Sequence, residues 1–87
     1  MRALLLLGAG GHGKVVAETA IASGQFSRIT FVDDRCTGLG AMHPILDWPV
    51  IGSLAQALQE ETKQHFTHAL VAIGNANIRL KWLQRLR

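Results

Sequence analysis

The sequence has no tyrosine, one cysteine and two prolines, and its aromatic side chains are three Phe and two Trp. Without tyrosine, and with so few rings, the chain lacks the stacking platform on which single-stranded nucleic acids are bound. The single thiol, Cys36, can form neither an internal disulfide nor a cysteine-built zinc site, and it fits a reducing, cytoplasmic setting. His12, His43, His65 and His68 show no HxxxH-type ligand spacing, so no metal site is expected. Charge is also sparse, at 17% of residues. Nine Lys+Arg against six Asp+Glu give a net charge of +3, too mild a bias to argue for a nucleic-acid partner. The longest apolar runs, residues 3–7 and 69–73, are five residues each. That is far below the ~20 needed to span a bilayer and short of the ~7–15 of a signal-peptide core, so neither membrane insertion nor export is expected.

What is present fits one small α/β domain. With 87 residues, 48% of them apolar, the chain is globular in composition. It buries only ~60–65% of the surface its unfolded form exposes, so its core is thin. An enzyme with separate substrate and cofactor domains is excluded for this chain alone. The run at residues 3–7 ends at Gly8 and reads as a strand buried on both faces. A helix is expected from about residue 11 to 23, with Val15, Val16, Ala20 and Ile21 on its apolar side and Gly24 as its stop. Residues 29–32 are β-branched and aromatic and give a second strand, closed by Asp33-Asp34. Residues 35–48 show no period and read as a long loop. Val50-Ile51 is a short strand. Ser53-Leu54-Ala55-Gln56 has capping-box spacing and opens a helix that buries Leu54, Ala57 and Leu58. Residues 69–73 form a fully apolar strand ended by Gly74. Asn75 or Asn77 caps a last helix with Ile78, Trp82, Leu83 and Leu86 on one face.

Strands alternating with helices predict a parallel sheet with right-handed crossovers. The expected fold is therefore α/β and Rossmann-like, four strands in the order 3-2-1-4 with helices on both faces. The helical pattern still running at Arg87 suggests a piece of a longer protein.

Gly8, Gly10 and Gly13 form a G-x-G-x-x-G between the first strand and the first helix. In that setting one glycine permits the tight turn, the next lets backbone approach a phosphate, and the third lets the helix pack closely on the sheet. The helix start then points unpaired N–H groups at an anion. His12, within the loop, is a candidate ligand contact but not a general base, because no orienting carboxylate is evident. Lys14 reads as an exposed helix lysine. Asp33 follows Gly13 by twenty residues, where a dinucleotide fold places a ribose-binding acid, and vicinal Asp34 points to the other side of the strand. Gly74 and Asn75 end the fourth strand, which flanks the same crevice as the first. Arg79, Lys81, Arg85 and Arg87 read as a solvated helix face, and Trp82 as a packed ring.

Three functions fit these residues: nucleotide-sugar binding, the NAD(P)-binding half of an oxidoreductase, or a domain whose glycines serve packing alone. Four strands are short of the six that hold a dinucleotide. The segments LLLGAGGHGKVVAE, FVDD, WPVIGSL and VAIGNANIR together resemble the N-terminal domain of bacterial sugar O/N-acyltransferases of the NeuD/PglD type, the sialic acid O-acetyltransferases and UDP-N-acetylbacillosamine N-acetyltransferases. The resemblance covers nearly the whole chain. It implies a nucleotide-sugar-binding domain spanning residues 1–87, followed in the full protein by a left-handed parallel β-helix that lies outside this sequence. It implies substrate contacts at Gly10, Gly11, His12, Asp33, Asp34 and Gly74, and no catalytic residue in this chain. Acetyl-CoA, the catalytic histidine and a homotrimer interface would all belong to the missing half.

Overall fold

The computed structural model describes residues 2–35 and 44–86. Four all-parallel strands lie in the order β3-β2-β1-β4: β1 (Ala3–Leu7), β2 (Arg28–Val32), β3 (Val50–Gly52) and β4 (His68–Val71). The expected 3-2-1-4 arrangement is the observed one. All five residues of β1 are buried, and their alternation divides the core in two. Leu4 and Leu6 join Ile29 and Phe31 on one face. Leu5 and Leu7 join Val32 on the other. A strand with leucine on both faces has to be central, because neither face tolerates water.

Helix α1 (Gly11–Ser23) covers the first face. Its buried side is Gly13, Ala17 and Ala20, with Val16 half-buried, whereas Val15 and Ile21 remain exposed. The expected face therefore holds at Val16 and Ala20 and is wrong at Val15 and Ile21, and the cause is steric. At Gly13 the helix comes so close to the sheet that a Cβ there would lie 2.1 Å from the Gly8 carbonyl oxygen. Only small side chains fit one and two turns further along that line. Gly24 ends the helix as expected, with φ +70 and its N–H donating to the Ile21 carbonyl.

The second face carries a 3-10 helix (Leu54–Leu58), α2 (Glu60–Lys63) and α3 (Ala76–Arg85), which place Leu54, Ala57 and Trp82 against Leu5, Leu7 and Val32. The capping box at Ser53 does not form. Ser53 holds the N-cap position without a side-chain bond: the Gln56 N–H, which a capping box would give to the serine hydroxyl, donates to the Ser53 carbonyl at 3.1 Å as a 3-10 bond, and the Leu54 N–H donates to Asp34 Oδ1 at 3.0 Å. Gln56 folds over Gly52, where a Cβ would meet its Cγ at 2.5 Å. Asn75 caps α3, its side-chain oxygen accepting from the N–H groups of Asn77 and Ile78 at 3.0 and 3.1 Å. Along α3, Trp82 is buried and Leu86 half-buried, while Ile78 and Leu83 stay exposed.

β4 departs from its expected double-sided burial. It forms the edge of the described sheet, and Ala69 and Leu70 are exposed on it. Of the expected loop at 35–48, residues 36–43 lie outside the described part. Within the rest, Ile45 and Trp48 exchange two backbone hydrogen bonds of 2.9 and 2.8 Å around Leu46 and Asp47, both at positive φ. That is a primed two-residue turn, pinned by the half-buried Ile45 and Trp48 packing on the α1-side core.

The tight approach at Gly13 makes a paired test. Gly13→Ala should destabilise the chain by about 2–3 kcal/mol, because backbone rather than a flexible side chain must move. Gly11→Ala, with nothing within 4 Å of its added Cβ, should stay within about 0.5 kcal/mol. Urea denaturation of both variants reads the difference.

Candidate functional site: the crevice at the carboxyl ends of the strands

The carboxyl ends of β1, β2 and β4 meet at Gly8. Its N–H donates to the Val32 carbonyl at 2.8 Å, its φ is +116, and a Cβ on it would lie 2.6 Å from the Ala72 carbonyl oxygen. No other residue type suits that position. The chain then runs through Ala9 and Gly10 into α1. The first bond into the helix is from the Lys14 N–H to the Gly10 carbonyl at 3.0 Å, and no side chain caps the helix start. The N–H groups of Gly11, His12 and Gly13 thus take no partner among the described residues and face a ligand or water. No acid occupies the first turn, so nothing there competes with an anion.

Around this turn lies a crevice of about 360 Å³, lined by the glycine loop from Gly8 to His12, by Asp33 and Arg35, and by Ile73 and Gly74 of the β4 end. His12 and Gly74 are exposed within it, and Lys14 is exposed outside it. A second lobe of about 550 Å³ shares Gly8, Asp33 and Ile73 and continues toward α3. Asp34, Leu54, Ile78, Lys81, Trp82 and Arg85 complete its walls. The structure therefore brings Gly10, Gly11, His12, Asp33 and Gly74 to one lobe, and Asp34 to the adjoining one.

The two acids hold the frame. Asp33 Oδ2 accepts from the Ala9 N–H at 2.8 Å and from Arg35 Nη2 at 3.0 Å. Its Oδ1 accepts from the Arg35 backbone N–H at 2.9 Å and from Arg35 Nε at 3.0 Å. These four bonds fill the roughly four lone-pair positions of a carboxylate. Burial raises the Asp33 pKa. The hydrogen bonds from Arg35 and Ala9 and the guanidinium charge outweigh it and bring the value down to about 2. Asp34 gives one oxygen to the Leu54 N–H, and its other oxygen takes no partner among the described residues.

Three side chains at this crevice and one beside it do not stand out in the sequence. Arg35 is hidden there because it acts through Asp33, two residues back, where the chain turns on itself. Lys81 and Arg85 belong to the stretch that reads as a solvated face, yet both line the second lobe, with Arg85 stacked on Trp82 at 5.1 Å from the ring centre. Arg79 turns inward as well, donating to the Ile73 carbonyl. The available signal is the spacing of 78, 81, 82 and 85, which puts both cations beside a ring that has to be buried. Among the described residues no three of His, Cys, Asp and Glu gather as a metal-ligand set, and no helix is long and apolar enough to cross a membrane. A further groove of about 460 Å³ around Thr30, Ile51 and Phe66 lies apart from the glycine loop.

This glycine-loop crevice on a 3-2-1-4 sheet is the frame of a Rossmann-like domain. The family model described as the PglD N-terminal domain matches residues 3–86, and the chain belongs to that family. It is also similar to the solved acetyltransferase domain of PglB from Neisseria gonorrhoeae FA1090, with 38% identity and a TM-score of 0.81 over 99% of this chain. The same domain solved in complex with acetyl coenzyme A aligns over 98% of this chain at 38% identity, with a TM-score of 0.73. This chain spans about two fifths of that relative, 39% and 38% in the two structures. No curated protein matches the chain.

The depressed Asp33 pKa sets the sign of an acid response. A carboxylate whose folded value lies below its unfolded 3.8 stabilises the fold fully above that value, and the contribution is lost as pH falls from about 4 toward 2. The loss should be about 1–2 kcal/mol, discounted because the Arg35 side chain is 60% exposed. Denaturation midpoints between pH 5 and pH 2 should fall less steeply in Asp33→Asn than in the parent chain.

Proposed function

We propose that this chain binds a nucleotide sugar, a UDP-sugar, as the N-terminal half of an acetyl-CoA-dependent sugar O- or N-acetyltransferase of the cytoplasm. The observation that carries the reading is the two-lobed crevice: uncapped loop amides open one lobe, and Asp34 stands in the other, with Asp33 framing both. The amides of Gly11 and His12 suit the pyrophosphate, and Gly10 lets it approach without a Cβ in the way. Asp34 suits neutral donors on the uridine or sugar, and Gly74 leaves the β4 side of the crevice open to it. His12 adds a donor at the loop. Asp33, with its four bonds made, serves the site by holding the Ala9 turn and Arg35. That same saturation weighs against the dinucleotide alternative, in which this acid has to accept from a ribose hydroxyl.

Family membership and the acetyl-CoA complex of the gonococcal relative support the acetyl-transfer half of the reading. In the complete enzyme a histidine of the other half removes a proton from the sugar amine or hydroxyl. The freed lone pair attacks the thioester carbonyl, the C–S bond breaks, and coenzyme A leaves as the thiol on taking up the proton. The sialic acid and bacillosamine pathways and a homotrimer are the family's settings for this chemistry. Residues 1–87 hold the sugar nucleotide and contribute no base.

The test is a backbone chemical-shift map of the chain titrated with UDP and then with UDP-N-acetylglucosamine. Shifts should cluster at Gly10–His12, Asp34 and Gly74. Shifts confined to Arg79–Arg85 would refute the placement. Gly10→Val should weaken binding at least tenfold with the fold intact, since a Cβ at Gly10 meets only Arg35 Nη2, at 3.8 Å. The 87-residue chain should show no acetyl-CoA turnover above a boiled control.

A further inference from the structure

We propose that Arg35 is the phosphate-gripping side chain of the glycine loop, and that Asp33 is its positioning residue. The inference places Arg35 within the nucleotide-sugar site proposed above, but it is tested on inorganic pyrophosphate and so can fail separately.

Three observations carry it. First, the Arg35–Asp33 contact is a two-point fork, Nε on Oδ1 and Nη2 on Oδ2, both at 3.0 Å, with the Arg35 backbone N–H on Oδ1 as well. A fork of this kind fixes the plane of the guanidinium, which a single contact does not. Second, the fixed group stands over the loop: a Cβ at Gly10 would lie 3.8 Å from Nη2, and Arg35 lines the same 360 Å³ crevice as Gly10, Gly11 and His12. Third, the fork uses two of the five guanidinium N–H groups, and the other three take no partner among the described residues.

Charge makes the arrangement necessary. A bare Asp33 carboxylate beside the loop amides would repel the anion those amides attract. Pairing it with Arg35 cancels that charge and turns donors outward instead of lone pairs. A guanidinium already held at two points also loses little side-chain freedom when a phosphate docks. Arg35 is the natural choice for this over lysine, whose ammonium cannot hold Asp33 and a phosphate oxygen in one plane. Other anchors for this side chain are absent among the described residues, and 60% of it is exposed, so its removal leaves the core untouched.

The experiment is an amide chemical-shift titration of the 87-residue chain with inorganic pyrophosphate at low ionic strength, repeated on Arg35→Gln, Arg35→Lys and Asp33→Asn. A dispersed spectrum in each variant verifies folding. The parent chain should shift at Gly10–Gly13. Arg35→Gln should bind about tenfold more weakly, the low end for a charge-assisted hydrogen bond at an exposed side chain. Arg35→Lys should lie between the two. Asp33→Asn should also bind more weakly, although it removes a negative charge from beside the anion, because the guanidinium is no longer aimed. Tighter binding by Asp33→Asn, parent-like binding by Arg35→Gln, or a parent chain that does not shift at the loop would each overturn the proposal. A parallel titration with UDP-N-acetylglucosamine separates the two readings. Pyrophosphate binding that depends on Arg35, with no preference for the sugar nucleotide, sustains the role of Arg35 and overturns the nucleotide-sugar assignment. Sugar-nucleotide binding at the loop that ignores Arg35→Gln does the reverse.

Discussion

Where β1, β2 and β4 converge, the chain leaves no room for a side chain. Gly8 sits with its missing Cβ 2.6 Å from the Ala72 carbonyl oxygen, and Gly13 sits with its own 2.1 Å from the Gly8 carbonyl oxygen. Three backbone segments are in contact there, one from each wall of the crevice and one from the helix above it. This contact sets the height of α1 over the sheet, which in turn selects Ala17 and Ala20 as its buried residues. It also sets where the N–H groups of Gly11–Gly13 point. A packing constraint and a binding geometry thus arise from the same two glycines.

The carboxylates near the crevice act on backbone before anything else. Asp33 ties the end of β2 to the Ala9 turn after β1, and Asp34 ties it to the start of the 3-10 helix at Leu54. The two acids sit just past the end of β2, and one reaches the turn before α1 while the other reaches the 3-10 helix on the opposite face. With Asp33 committed in this way, the charged groups left facing the crevice are Arg35 beside the glycine loop and Asp34, Lys81 and Arg85 in the adjoining lobe. Cations and loop amides at two adjoining openings suit a phosphorylated ligand.

Stability is unevenly spread over so small a domain. β1 and β2 contribute Leu4, Leu6, Leu7, Ile29, Phe31 and Val32, the largest side chains that are fully buried. The α2 turn of four residues buries none, and β4 leaves Leu70 half-exposed at the sheet edge. The glycine loop and the Asp33 turn are rooted in the first group, so the glycine-loop end of the crevice stands on the most heavily packed strands. Its α3 wall hangs on a single buried ring, Trp82.

The strand–glycine–helix turn and the C-cap at Gly24 could be read from the sequence, because each depends on neighbours within a few residues: apolar runs, glycine positions and the switch of period from strand to helix. Sheet order, which pairs Leu4 with His68, could be read because the alternation of strands with helices leaves few topologies open. The crevice residues Gly10, Gly11, His12 and Gly74 follow from the same local rules, since strand ends and helix starts are local features. What depended on distance along the chain could not be read this way. The rotation of α1 away from Val15 and Ile21 follows from the contact between Gly13 and Gly8 once the sheet is formed. The failure of Ser53 as a cap follows from the 3-10 winding of residues 54–58, in which the Gln56 N–H turns to the Ser53 carbonyl, while Asp34, twenty residues before Leu54 in sequence, takes the Leu54 N–H. The exposure of Ala69 and Leu70 could not be read from the composition of β4, which matches that of a central strand. The commitment of Asp33 to Ala9 and Arg35 was decided only in three dimensions. A carboxylate's composition and spacing give its charge, but whether it meets a ligand or a backbone N–H depends on which donors the fold brings within hydrogen-bond reach.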